Sequence, residues 1–353
     1  MKPATRTPDF RNLAEVLERR EPSRPTLFEF FLNNRLYEKL AGKDFQARGL
    51  LPSTRTMVLA HERAGYDYAT VPYNDFCFVE AEDPKQRGGA QSVSLNEGAL
   101  VTTRADFDAF EWPDPAESGS EEFDRIREYL PEGMKIIPFD SGGVLENITA
   151  LVGYDNLCTM IYDNEQLVYD IFETVGSRIL ENWCMAMEHD FVGAIIVGDD
   201  WGFNTQTMLS PKDMRRFVFP WHKEIVKLAH SKGLYAILHS CGYYREVVDD
   251  VIDDIRYDAR HSYEDNVVSV EEAYEELHTR IAVLGGIDVD FMARKSPGEV
   301  FARSRAMIER SSGRGAYALG TGNSVPEFIP DQNYFAMTEA AWSEMSQHGR
   351  SQA

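Results

Sequence analysis

Eight short apolar runs, separated by helix-like stretches, limit how this 353-residue chain can fold. They fall at residues 25–31, 68–71, 134–139, 193–198, 234–241, 258–262, 281–284 and 316–319. Several are apolar throughout, the pattern of parallel strands covered on both faces. Between them, apolar periodicity and capping signals mark helices at 34–41, 55–64, 121–130, 164–189, 221–231, 246–254, 270–278, 298–311 and 333–347. Ser210-Pro211 and Ser296-Pro297 each open a helix with a serine cap and a proline in the first turn. Residues 81–101 are polar and glycine-containing, as expected of a loop or hairpin excursion.

A strand–helix count of eight predicts an α/β fold, a closed (β/α)8 TIM barrel occupying residues 25–353 as one domain. Residues 1–24 precede it as an N-terminal extension with an amphipathic helix at 10–20. A doubly wound open sheet is the alternative. The first strand is not followed by G-x-G-x-x-G, which weakens a dinucleotide-binding reading.

Charge and cysteine usage narrow the function classes. A formal net charge of −22 argues against nonspecific binding to nucleic acid or anionic membranes, which needs clustered Lys and Arg. No apolar run reaches the roughly 18 residues of a membrane span. Residues 1–20 are too polar for a secretory signal. The cysteines Cys77, Cys158, Cys184 and Cys241 lie far apart, as reduced thiols of a cytoplasmic protein would.

Barrel enzymes carry their sites at the C-terminal ends of the strands. Those ends here offer Asn74 and Asp75, Asp140, Asp199 and Asp200, His239 and Cys241, His261 and Glu264, Asp288, and Asn323 and Ser324. A lone Asp in such a place is usually a helix cap, but seven polar ends around one mouth form a set. In Leu238-His239-Ser240-Cys241-Gly242 an imidazole and a thiol stand one residue apart. On a strand, residues i and i+2 project to the same side, so His239 and Cys241 could supply half of a tetrahedral zinc site or be a buried polar pair. Glu264, after the neighbouring strand, is the first candidate for a third ligand, and Asp199 or Asp200 on the other side the second. Gly285-Gly286 and Gly320-Thr321-Gly322 could bind an anion through backbone N–H groups or simply form tight turns. Trp201-Gly202-Phe203 and Tyr243-Tyr244 could line a flat pocket or serve as ordinary packing.

These segments resemble the uroporphyrinogen decarboxylase superfamily. The likeness rests on Gly198-Asp199-Asp200, Ser210-Pro211, His239-Ser240-Cys241-Gly242, Leu284-Gly285-Gly286-Ile287-Asp288 and Gly320-Thr321-Gly322-Asn323-Ser324 with Pro330. Phe107-Glu111-Trp112-Pro113 is a weaker echo upstream. The resemblance implies a (β/α)8 barrel and two activities, porphyrinogen decarboxylation and zinc-dependent methyl transfer between a corrinoid protein and a thiol. The decarboxylase branch carries an arginine-rich stretch after its first strand; here Phe30-Phe31-Leu32-Asn33-Asn34 stands there, followed by Arg35 alone. The methyltransferase branch holds zinc through His, Cys and a later Cys, and that later position is Asn323.

The leading expectation is therefore a methyltransferase with zinc on His239, Cys241 and Glu264. Asp199, Asp200 and Asp75 are its catalytic candidates, and Asn323, Ser324, Asp288 and Asn74 would contact the small-molecule substrate. The corrinoid would come from a partner protein, and a homodimer is among the assemblies the sequence allows. The alternatives are a metal-free decarboxylase using Asp75, or a non-catalytic corrinoid- or tetrapyrrole-binding barrel.

Overall fold

The computed structural model describes residues 6–48, 51–79, 99–140 and 142–348. Most of the excursion expected at 81–101 lies outside these residues. Its end returns to the protein where the N–H groups of Leu100 and Val101 both meet the Leu151 carbonyl.

Among these described residues, seven strands form one parallel sheet in strict chain order: β1 (Tyr68–Pro72), β2 (Lys135–Phe139), β3 (Ala194–Gly198), β4 (Tyr235–His239), β5 (Ala259–His261), β6 (Ala282–Leu284) and β7 (Tyr317–Ala318). Sequential order with a helical crossover at each step curls the sheet in TIM-barrel fashion. Its staves are apolar because both faces are covered: Ile136, Ile195, Ile196, Ile237, Leu238 and Val283 are fully buried. Each such side chain contributes roughly 1.5–3 kcal/mol by leaving water.

Residues 25–31, expected as the first strand, do not form one. They make a single bridge, Leu27 to Leu319, with Phe28 N–H on Leu319 O (2.7 Å) and Leu319 N–H on Thr26 O (2.8 Å). On the other side the backbone is satisfied by side chains of β1. The Tyr68 hydroxyl accepts from Glu29 N (2.7 Å) and donates to Glu29 O (2.9 Å), and the Thr70 hydroxyl donates to Phe30 O. Pro25 has no N–H to offer a ladder, and two hydroxyls take the bonds a neighbouring strand would have taken.

The helices depart from expectation mainly where the turn widens. The segment opened by Ser210 runs as Pro211–Asp213, a wider five-residue turn at Met214–Val218, and the helix Phe219–Ser231. The helix expected at 246–254 is reduced to such a turn at Asp250–Ile255. Glu165–Ala186 is one continuous helix preceded by a separate one, Tyr154–Asp163. At the N-terminus, Arg11–Leu17 buries Leu13, Val16 and Leu17 in the same core, tethered by Phe10 N–H on Gly133 O. No helix among the described residues is long and apolar enough to cross a membrane.

The register positions the site. Gly198, His239 and His261 pair across β3, β4 and β5, so they form one row at the C-terminal edge of the sheet. Residues paired in one row share a face.

Candidate metal centre

β4 ends at His239, so Cys241 is not a strand residue as its spacing suggested. Ser240 N–H still reaches His261 O (2.8 Å), but Cys241 N–H leaves the ladder and bonds Asp200 Oδ1 (2.8 Å). Gly242 follows with φ +79°, and a Cβ there would fall 2.0 Å from the Gly202 carbonyl oxygen. A bare backbone is therefore required at this position. It lets the loops after β3 and β4 press together, which delivers the Asp200 carboxylate to Cys241.

Asp200, His239 and Cys241 bring one ligand atom each within 4.8 Å of one another, the one such group of three among the described residues. His239 Nε2 lies 3.8 Å from Cys241 Sγ. Tetrahedral zinc with bonds of about 2.0–2.3 Å sets its ligand atoms roughly 3.3–3.8 Å apart. The imidazole and the sulfur already meet that spacing. Imidazole nitrogen, thiolate sulfur and carboxylate oxygen are all donor types that zinc takes.

Asn323 stands beside the sulfur rather than among the ligands. Its Oδ1 accepts from Ser324 N–H (2.8 Å), which turns the amide NH2 to donate to Cys241 Sγ (3.1 Å). The Ser262 hydroxyl approaches the same sulfur at 3.8 Å. Two donors on one sulfur favour its anionic form.

Electrostatically the cluster resists charge as it stands. Burial, then the neighbouring His261 and Arg260, holds the His239 imidazole well below its ordinary range. Burial and the Asp200 carboxylate push the Cys241 thiol up. Burial raises Asp200 as well, and burial with Asp199 and Asp200 lifts Glu146 to about 8. A bound dication would reverse this balance, because it would stabilise thiolate and carboxylate together. The buried guanidinium of Arg260 donates to the carbonyls of Ser240 and Ser262 and lies over the rings of Tyr244 and Tyr263.

The remaining sequence candidates divide by location. Asp199 is fully buried; Oδ2 accepts from Trp201 Nε1 (2.9 Å), His222 Nε2 (2.9 Å) and Leu145 N–H (3.1 Å), and Oδ1 from Glu146 N–H (2.9 Å). With its lone pairs engaged, it braces the helix Val144–Val152 against β3. Glu264 accepts weakly from Gly242 N–H (3.4 Å) and falls outside the three-atom group. It lines a cleft of about 950 Å³ with Asp288, Asn323 and Ser324, so Asn323 joins cleft to sulfur. Asp288 also caps the helix Val289–Arg294 through Phe291 N–H and accepts from Asp265 N–H. Asp75 is exposed and accepts from Gly119 N–H, while Asn74 is tied to Asn182.

The glycine loops act as tight packing, with their amides already spent. Gly285 N–H bonds Ala318 O, Gly286 N–H bonds Thr321 O, and Gly322 N–H bonds Ile287 O. Trp201 and Tyr244 are likewise buried packing residues. Sequence reasoning missed His222 and Glu146. His222 sits mid-helix with no local signal, whereas Glu146, three residues into a helix opened by Gly143, fits a capping pattern.

The chain belongs to the uroporphyrinogen decarboxylase (URO-D) family, whose profile matches residues 54–343. No curated protein matches it. Among solved structures, a methyltransferase from Methanosarcina mazei superposes with a TM-score of 0.69 at 16% identity, over 95% of this chain and 98% of that one. A rutinosidase from Aspergillus niger reaches only 0.41 at 10% identity, over 91% and 97% of the two chains. At such identities the first likeness speaks for the fold.

Proposed function

We propose that this protein is a zinc-dependent methyltransferase that moves a methyl group between a corrinoid carried by a partner protein and a thiol acceptor. The observation that carries the reading is the convergence of His239 Nε2, Cys241 Sγ and the Asp200 carboxylate, which differs from the expected set by placing Asp200 where Glu264 was favoured. In this reading residues 25–31, although not a strand, fill the place between β7 and β1 through the Leu27–Leu319 bridge and the Tyr68 and Thr70 hydroxyls. It keeps the cytoplasm as the compartment, in line with four free cysteines.

Zinc held there would lower the pKa of an acceptor thiol and fix its sulfur at the open position. The chain's own groups do the rest. Asn323 and Ser262 each point a donor at the Cys241 sulfur, ready to support it once a metal makes it a thiolate, and Asp200 is fixed by Cys241 N–H. The acceptor thiol would give up its proton to solvent on meeting the metal. The acceptor sulfur's lone pair would form the new S–CH3 bond as the methyl group leaves the partner's corrinoid, with the bonding pair of the broken bond staying on that donor.

A carboxylate-binding decarboxylase is less well served. Arg35 is committed to Asp331, Glu327 and the Ile329 carbonyl, and Asp75 faces solvent. Methyl transfer from methylcobalamin to a panel of small thiols, followed by the loss of its visible spectrum, tests the proposal. Zinc-dependent turnover that vanishes in Cys241→Ala supports it; equal turnover after zinc removal refutes it.

A further inference from the structure

An imidazole can give a metal only a nitrogen that carries no proton. The deeper packing of this site settles which nitrogen of His239 that is. His239 and His261 are register partners on β4 and β5, and their Nδ1 atoms lie 2.8 Å apart. One of the two must donate. His261 Nε2 lies 3.3 Å from the Thr321 carbonyl oxygen, which has no proton to give, so the His261 proton sits on Nε2 and its Nδ1 accepts. The proton between the rings is then that of His239, on Nδ1. Its Nε2 is bare and faces Cys241 Sγ. The opposite tautomer would set two lone pairs against each other at 2.8 Å.

This direction is anchored from behind. Thr321 donates its N–H to Glu29 Oε1 (2.8 Å) and its hydroxyl to Glu29 Oε2 (2.7 Å), and both side chains, like that of His261, are fully buried. Gly285, at φ +70°, leaves room for the ring: a Cβ there would fall 2.9 Å from His261 Nε2 and 2.2 Å from the Thr321 oxygen. Phe28 packs edge-on against His261, and Phe30 packs against His239.

We infer that His261, held by Thr321 and Glu29, is a positioning residue that fixes the proton of His239 on Nδ1 and keeps Nε2 open toward Cys241 and Asp200. The inference rests on the metal-site reading for its purpose, yet the tautomer can be read without any metal. In metal-free wild-type protein with 15N-labelled histidine, long-range proton–nitrogen correlation should show His239 protonated at Nδ1 and bare at Nε2, with His261 the reverse. A proton on His239 Nε2 overturns the inference, whether or not zinc binds. In His261→Phe, zinc affinity measured by competition with a chromophoric chelator should fall about 10–100-fold, and His261→Gln, which keeps an acceptor oxygen, should recover part of it. A folded His261→Phe protein with wild-type zinc affinity also overturns it. If that variant fails to fold, the wild-type spectrum still decides. If wild type binds no zinc, the methyl-transfer reading falls while the tautomer result stands on its own.

Discussion

Two buried polar networks meet at the ends of β3 and β4, built from adjacent aspartates, and they do opposite things. Around Asp199 four donors converge on one carboxylate, and His222 passes its other nitrogen to the Tyr257 hydroxyl at 2.7 Å. Around Asp200 three ligand-type atoms converge within 4.8 Å, linked to one another only through Cys241, whose sulfur lies 3.8 Å from His239 Nε2 and whose N–H bonds Asp200 Oδ1. A saturated network holds a scaffold together; one that leaves lone pairs convergent is built to receive something else. Asp199 is thus bound into the scaffold, and Asp200 is the aspartate that the proposed function uses, although the sequence offers them as equals.

Replacing Asp199 is the harshest way to break this contrast. Asp199→Ala strands four buried donors and should cost about 3–5 kcal/mol, read as a lower urea midpoint or insoluble protein. A variant that folds like wild type but no longer binds zinc would move Asp199 into the site. Removing a ligand should do the reverse. His239→Ala or Cys241→Ser should lose metal by about two orders of magnitude or more, while metal-free stability changes by roughly 1–2 kcal/mol. Sharper still is the pair Asp200→Asn and Glu264→Gln. The first should weaken zinc by about tenfold or more and the second by much less; the opposite ranking would restore Glu264 as the ligand.

The smallest expected effect concerns the anchor behind the proposed metal site. Burial lifts the Glu29 carboxyl to about 8 from an ordinary 4.5. The folded chain therefore holds a proton that the unfolded chain releases. That stabilisation is complete below about 4.5 and is lost as pH rises toward 8. Glu29→Gln keeps the shape without the charge, so urea unfolding from pH 6 to 8.5 should show a shallower decline and a gain of roughly 1–2 kcal/mol at the alkaline end. An unchanged slope would place the titrating group elsewhere.

The sheet was legible because a doubly covered parallel strand must be apolar on both faces, and seven of the eight runs sit within a residue or two of the strands observed. The stretch at 25–31 misled because its backbone is satisfied by the hydroxyls of Tyr68 and Thr70, a tertiary bond with no local sign. His239 and Cys241 were found together for a reason only partly right. They converge because Asp200 catches the Cys241 amide beyond the strand end, not because a strand continues through it. Choosing Glu264 over Asp200 followed from strand adjacency, which locates a loop but not its side chain. The direction of a proton between His239 and His261 depends on Thr321, 60 residues further along, and no spacing rule reaches that far.

Crystals of protein purified without added metal, measured on both sides of the zinc absorption edge, test the central claim most directly. One anomalous peak bonded to His239 Nε2, Cys241 Sγ and an Asp200 oxygen is the expected result. A map with no peak there after growth in zinc-replete medium, or with the metal on other residues, would contradict it.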